Sequence, residues 1–177
     1  GKPKLVAIEP QPGVDAATLL RLTASLEHVS EHPLAAAIVA GARERNVGMS
    51  EVTNFASVTG KGVTGTVDGR TVAIGNLKQL EALGIDPSQL KARAEELRRE
   101  GQTVMFVAFD GRTAGLVGVA DPIKSTTQEA IEALHREGIK VVMLTGDNRA
   151  TAEAVAKSVG IDRIEADVLP DQKAEVI

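Results

Sequence analysis

The sequence predicts two units in tandem: an α+β layer arrangement over residues 1–119, with an antiparallel sheet flanked by helical hairpins, and part of an α/β unit over residues 120–177. Three observations predict it. Asp68-Gly69 and Asp110-Gly111 each sit between short runs rich in Val, Ile and Phe, the pattern of tight antiparallel hairpins. Helically spaced apolar residues precede the first hairpin and fill the interval between the two. After Asp121-Pro122, helix and strand patterns alternate strictly, which implies parallel strands joined through crossover helices.

Each element has a local justification. Leu5 to Ile8 is a short apolar run and an expected strand, inside an extended piece punctuated by Pro3, Pro10 and Pro12; its start is abrupt, as if the chain opened inside a domain. Asp15 is placed to cap a helix whose apolar stripe is Leu19, Leu20, Leu22, Leu26 and Val29. Leu34, Ala35, Ile38, Val39 and Ala42 form a second stripe, with Pro33 suited to the first helical position. A residue before proline is pushed out of the α region. His32 is therefore expected at a non-helical corner between two helices, with Glu27 on the last turn of the first. The hairpin ends near Asn46-Val47-Gly48, and Val52 to Val58 reads as a strand leading into Gly60-Lys61-Gly62. Strands follow around Val63–Val67 and Val72–Ile74, then helices near Leu77–Leu83 and Pro87–Arg99. Glu95, Glu96, Arg98, Arg99 and Glu100 read as a solvated face. Val104–Phe109 and Ala114–Val119 complete the second hairpin. Beyond the boundary, Thr126–Glu137 and Arg149–Val159 read as helices, Ile139–Leu144 as a buried strand, Ile164–Ala166 as a short strand and Asp171–Ile177 as a helix cut off by the chain end.

Composition narrows the function classes. With 43% hydrophobic and 25% charged residues, this is a soluble globular chain. Aromatic residues are 2%, so the core must use Ala, Val, Leu and Ile, and no stacking platform for single strands exists. A net charge of -4 with interspersed signs leaves no basic stripe for nucleic acid. The absence of Cys excludes disulfides and thiolate metal sites, and no metal site is expected. No apolar run reaches membrane-spanning length and no secretory signal is present, so the chain is expected in, or facing, the cytosol.

The residues that carry chemistry fall into three runs. Glu27 and Ser30-Glu31-His32-Pro33-Leu34 bring a carboxylate and an imidazole to one end of a helical hairpin. Gly60-Lys61-Gly62 and Gly75-Asn76 are turns where glycine lets backbone approach a ligand and Asn76 can cap a helix. Val141-Val142-Met143-Leu144-Thr145-Gly146-Asp147-Asn148 is a strand ending in a hydroxyl and a glycine before a helix, a setting suited to a phosphoryl group. Each has a plainer reading: a surface cap, an ordinary turn, a capped helix.

Together these runs resemble heavy-metal P-type ATPases of the P1B, copper/silver-like kind. Ser30–Leu34 with Glu27 upstream is similar to that family's adenine-binding motif, and Thr145-Gly146-Asp147 to a motif of its haloacid-dehalogenase-like phosphorylation domain. Asp121-Pro122-Ile123-Lys124 and Pro170-Asp171-Gln172-Lys173 resemble two further segments of that domain. The resemblance implies an α+β nucleotide-binding domain (1–119) joined to a partial α/β phosphorylation domain (120–177). It implies that Glu27 accepts a hydrogen bond from the adenine amino group and that His32 packs on or beside the purine. Gly60, Gly62, Gly75 and Asn76 would shape the rest of an ATP site; Thr145, Gly146, Asp147 and Lys173 would support the phosphoryl group. Partners would be ATP or ADP and the remaining phosphorylation, actuator and transmembrane domains of an integral membrane transporter, with Mg²⁺ acting in the intact protein. The family's Asp-Lys-Thr-Gly-Thr run, which holds the nucleophile, does not occur in these 177 residues, so this chain alone is expected to be inactive. Two alternatives stand beside this reading: a haloacid-dehalogenase-like phosphatase, and a non-catalytic nucleotide-binding module.

Overall fold

Asp68 and Gly69, and likewise Asp110 and Gly111, all have positive φ. That is the backbone a two-residue type I′ turn requires at both central positions, and its twist matches the strands it joins. The two hairpins are the middle of the molecule. The structure, a computed structural model, describes residues 2–121, 123, 125–145 and 149–166.

Six strands form one antiparallel sheet in the order β1-β6-β5-β4-β3-β2. They are β1 (Lys4–Pro10), β2 (Val52–Val58), β3 (Gly62–Val67), β4 (Arg70–Gly75), β5 (Thr103–Phe109) and β6 (Arg112–Ala120). The central strands are covered on both faces. Along β5, Met105, Val107 and Phe109 enter one core, while Val104, Phe106 and Ala108 enter the other. This is the period-two alternation of a strand, apolar on both sides. Helices α1 (Ala16–His28) and α2 (Ala35–Glu44) cover the first face. Helices α3 (Leu77–Ala82) and α4 (Ser88–Arg99) cover the second. Phe106 is completely buried beneath α4 and contributes about 2–3 kcal/mol of hydrophobic stabilisation.

The caps follow the residue chemistry. Asp15 accepts the Thr18 N–H at 2.9 Å and starts α1. Asn76 caps α3 in the same way, through the Gln79 N–H at 3.2 Å. The start of α2 differs from expectation. Its cap is Leu34, so Pro33 lies two residues ahead of the helix rather than at its first position. The cause is local: the His32 side chain takes the Leu34 N–H, and a turn forms before the helix does. Arg98 also departs from the solvated face read for α4, because its guanidinium lies 5.7 Å from the Phe106 ring centroid.

The second sheet is small: β7 (Val142–Leu144) runs parallel to β8 (Arg163–Glu165), with α5 (Ser125–Arg136) and α6 (Arg149–Val159) beside it. The buried strand expected over Ile139–Leu144 is corrected here. Strand structure is confined to Val142–Leu144, and Ile139 and Val142 are 50% and 51% exposed. Among the described residues β7 has a neighbour on one side only; Val142 is exposed while Met143 and Leu144 are half-buried. The short second strand is Arg163–Glu165, one residue earlier than read. The helix expected over Asp171–Ile177 lies outside the described residues.

One ion pair ties the entering strand to the far helix layer. The Arg93 guanidinium on α4 grips the Glu9 carboxylate of β1 through two hydrogen bonds, 2.6 and 2.7 Å. That hydrogen bonding lowers the Glu9 pKa below the ordinary glutamate value. The folded state therefore favours the carboxylate. Its contribution is present above the unfolded pKa and is lost as pH falls through the folded one. Glu9→Gln should lower Tm by about 1–3 °C at pH 7, a small effect because the pair is part-exposed. The difference from the native chain should vanish near pH 3, which a pair of melting curves against pH would check.

Candidate functional site

Helix α1 delivers the corner to a particular end of the sheet. Its Arg21 side chain reaches Asp68, in the turn at one end of β3. One and a half turns later, Leu26 lies against Gly65, where an added Cβ would stand only 2.7 Å from Leu26 Cδ1. The helix thus runs antiparallel to β3. Three residues further along that strand, roughly 10 Å, is Gly62. The α1–α2 corner with Glu27 and His32 accordingly follows the direction of the Gly60–Gly62 turn.

Glu27 is buried, only 2% exposed, and so is not one of the chain's solvated acids. Burial raises its pKa above the ordinary glutamate value, and the nearby Ser30 side chain opposes that rise. Among the described residues, nothing donates a hydrogen bond to Glu27 Oε2. A buried carboxylate oxygen without a donor costs free energy. It is the atom at this corner best suited to accept a hydrogen bond from a ligand.

His32 stands between the helices, as its place before Pro33 requires. Its N–H donates to Ser30 Oγ at 3.1 Å, and its Nδ1 accepts the Leu34 N–H at 3.2 Å. The ring keeps much of its surface exposed, yet the protein crowding its inner side lowers its pKa, so the neutral imidazole is favoured. The sequence marks the run Ser30–Leu34, but not the tasks of Ser30 and the Leu34 N–H as partners of His32; the signal for the first is the position of Ser30 two residues before His32, the spacing of a hydroxyl-to-backbone turn.

The glycine cluster is a second group, organised by Asn76. Gly62 and Gly75 face each other across β3 and β4. A Cβ at Gly62 would strike the Ile74 carbonyl oxygen, and one at Gly75 would strike that of Lys61. Gly60 needs its glycine for a different reason: φ is +72°, and the space around it is open. Asn76 donates from Nδ2 to the Gly60 carbonyl at 2.8 Å, and its backbone N–H donates to Lys61 O at 2.9 Å. One residue thus caps α3, as its sequence position predicts, and also pins the Gly60 turn.

A hollow of about 360 Å³ at the corner has Glu27, His28, Ser30 and Arg43 in its wall, but neither His32 nor the Gly60–Gly62 turn. A larger cavity of about 700 Å³ opens elsewhere, around Val14, Arg70, Phe109 and Arg112. Size alone would favour it as a site. Its acids are already engaged, Asp15 in capping α1 and Asp110 with Arg70 and the Thr71 N–H, and none of the candidate ligand-binding residues lines it. Of the phosphoryl-site residues, Thr145 follows β7 and its N–H donates to Glu165 O at 3.0 Å. Gly146, Asp147 and Lys173 lie outside the described residues.

Comparison with known proteins supplies the family. The model of haloacid dehalogenase-like hydrolases matches residues 3–177. The chain belongs to that family. Within it, the whole chain corresponds to a segment of heavy-metal P-type ATPases. It is 58% identical over 177 residues to a copper-transporting P-type ATPase of Rhizobium leguminosarum bv. viciae, covering 100% of this chain and 21% of that protein. It is 49% identical over 160 residues to a silver exporting P-type ATPase of Salmonella typhimurium, covering 90% and 19%. A solved zinc-transporting PIB-type ATPase in the E2.Pi state superposes with a TM-score of 0.84 at 30% identity, over 100% of this chain and 28% of that one. The chain therefore spans about a fifth of the length of these curated relatives. The antiparallel sheet with flanking helices is the architecture of P-type ATPase catalytic domains. No described helix is long and apolar enough to cross a membrane.

Two expectations follow from the geometry. Gly62→Ala should destabilise the fold by about 2–4 kcal/mol, because the new methyl meets backbone rather than a movable side chain. Gly60→Ala should cost only about 1–2 kcal/mol, the penalty of a left-handed residue; urea unfolding of both variants measures the difference. Glu27→Gln should also be more thermostable than the native chain at pH 7. The raised Glu27 pKa means the folded state prefers the protonated acid, so stability is lost as pH rises through that pKa. The gain should shrink toward zero near pH 4 in melts across that range.

Proposed function

We propose that residues 1–119 form a nucleotide-binding unit that holds the adenine of ATP between the α1–α2 corner and the Gly60–Gly62 turn. The observation that carries this reading is Glu27: a buried carboxylate with an unpartnered oxygen, on a helix directed along β3 toward that turn. A carboxylate accepts from the exocyclic amine of adenine and repels the carbonyl oxygen that guanine carries there. His32 offers an uncharged ring edge and face in a chain with almost no aromatic residues. Gly60 and Gly62 lie where bare backbone can line the ribose and phosphates, with Gly75 and Asn76 fixing the turn.

The parent protein, on this reading, is an ATP-driven metal exporter, most consistent with monovalent copper given the relatives named above. Residues 120–177 would be part of its phosphorylation unit, with Thr145, Gly146, Asp147 and Lys173 beside the transferred group. ATP supplies the γ-phosphoryl; the accepting aspartate is not in this sequence. Mg²⁺ is the family's companion ion. Among the described residues no group of three or more His, Asp or Glu could hold a metal, so no step of the reaction is assigned to an ion here.

Calorimetric titration tests the proposal. ATP should bind with a Kd of about 0.1–1 mM. GTP should bind at least about 10-fold more weakly, and Glu27→Gln should narrow that ratio. Equal affinity for ATP and GTP in the native chain would overturn it.

A further inference from the structure

His32 makes two hydrogen bonds within its own corner, and they constrain the ring more than its exposure suggests. Nδ1 accepts the Leu34 N–H at 3.2 Å. Leu34 is the residue that caps α2, and its own apolar side chain makes no capping hydrogen bond. Pro33, lying between, has no N–H to offer. The imidazole therefore does at i+2 what an Asn or Asp side chain does in a turn. The His32 N–H in turn donates to Ser30 Oγ at 3.1 Å, which fastens the backbone from the other side.

We propose that the two nitrogens of His32 are divided between two tasks. Nδ1 stays unprotonated and closes the corner in front of α2; Nε2–H is left as the single donor that the ring presents to the nucleotide, with Ser30 as a positioning residue that holds the His32 backbone. The chemistry is restrictive. A nitrogen that accepts a backbone N–H cannot carry a proton, so the neutral ring must be the Nε2–H tautomer. Burial lowers the His32 pKa and so favours the neutral ring; independently of that, protonating Nδ1 would break the Leu34 bond. The ring then meets its ligand uncharged, at a fixed angle, with one donor and one free face. Its likeness to an Asx turn also explains why α2 starts at Ala35 and not at Pro33.

This deepens the nucleotide-binding reading and rests on it, and the tests separate the two. Long-range ¹H–¹⁵N correlation spectra of the native chain at pH 7.5 should show His32 with a pyridine-like Nδ1 and a protonated Nε2. His32→Asn keeps an acceptor for the Leu34 N–H but removes the ring. It should hold Tm within about 1 °C of native while weakening ATP by about 5-fold or more, whereas His32→Ala should lose both. Ser30→Ala should weaken ATP by about 3–10-fold and blur the single-tautomer spectrum, and Ser30→Thr should restore both. A protonated Nδ1 in the native spectrum, or His32→Asn melting as low as His32→Ala, would overturn the division of tasks while leaving ATP binding itself intact. Failure of ATP to bind the native chain at all would instead remove the reading beneath it, since the tautomer and the melting comparison are measured without nucleotide.

Discussion

The structure depends on leucines seated in the gaps left by glycines. Leu26 on α1 fits over Gly65 of β3, and Leu19 on the same helix fits over Gly115 of β6, each close enough that a methyl on the glycine would collide with it. Leu5 of β1 fits against Gly41 of α2 in the same way. Interiors are packed at crystal-like density, so a chain almost without aromatic residues has to bring its layers closer together. These contacts fix how α1 crosses the sheet. That crossing in turn sets where the helix ends, and hence where the Glu27 carboxylate is buried. The position of this buried carboxylate is thus set by packing several residues away.

The sheet unit was legible because its signals are local and chemically specific. Asp68-Gly69 and Asp110-Gly111 can hardly form anything but tight turns between β-branched runs, and Asp15 and Asn76 are natural caps. What the residues alone could not show was depth. Glu27 reads as one of many acids in a charged chain, and only the layer above β3 makes it a buried one. Nor could the start of α2 be placed, because the general preference of proline for a first helical turn was overridden by a ring nitrogen two residues upstream of the cap. The strand over Ile139–Leu144 failed for the opposite reason: an apolar run states what a segment needs to bury, not which surface will bury it.

The two sheets therefore stand in different conditions. The six-stranded one has a helix layer on each face and two filled cores. The pair β7–β8 leaves Val142 exposed, with Thr145 at the strand end, where parallel sheets generally meet their ligands. Recognition of a base needs a rigid, buried acceptor, which the first half has. Support of a transferred group needs partners that the described part of the second half does not contain.

The register of β1 and β6 has a further consequence. Lys4 lies opposite Ala120, so the polypeptide comes into the six-stranded layer and goes out of it through adjacent positions, about 5 Å apart. A unit whose two ends nearly touch can be spliced into a surface loop of another protein without stretching its host. The hundred-odd residues between them thus have the form of a cassette, one that enters and leaves its surroundings at a single place.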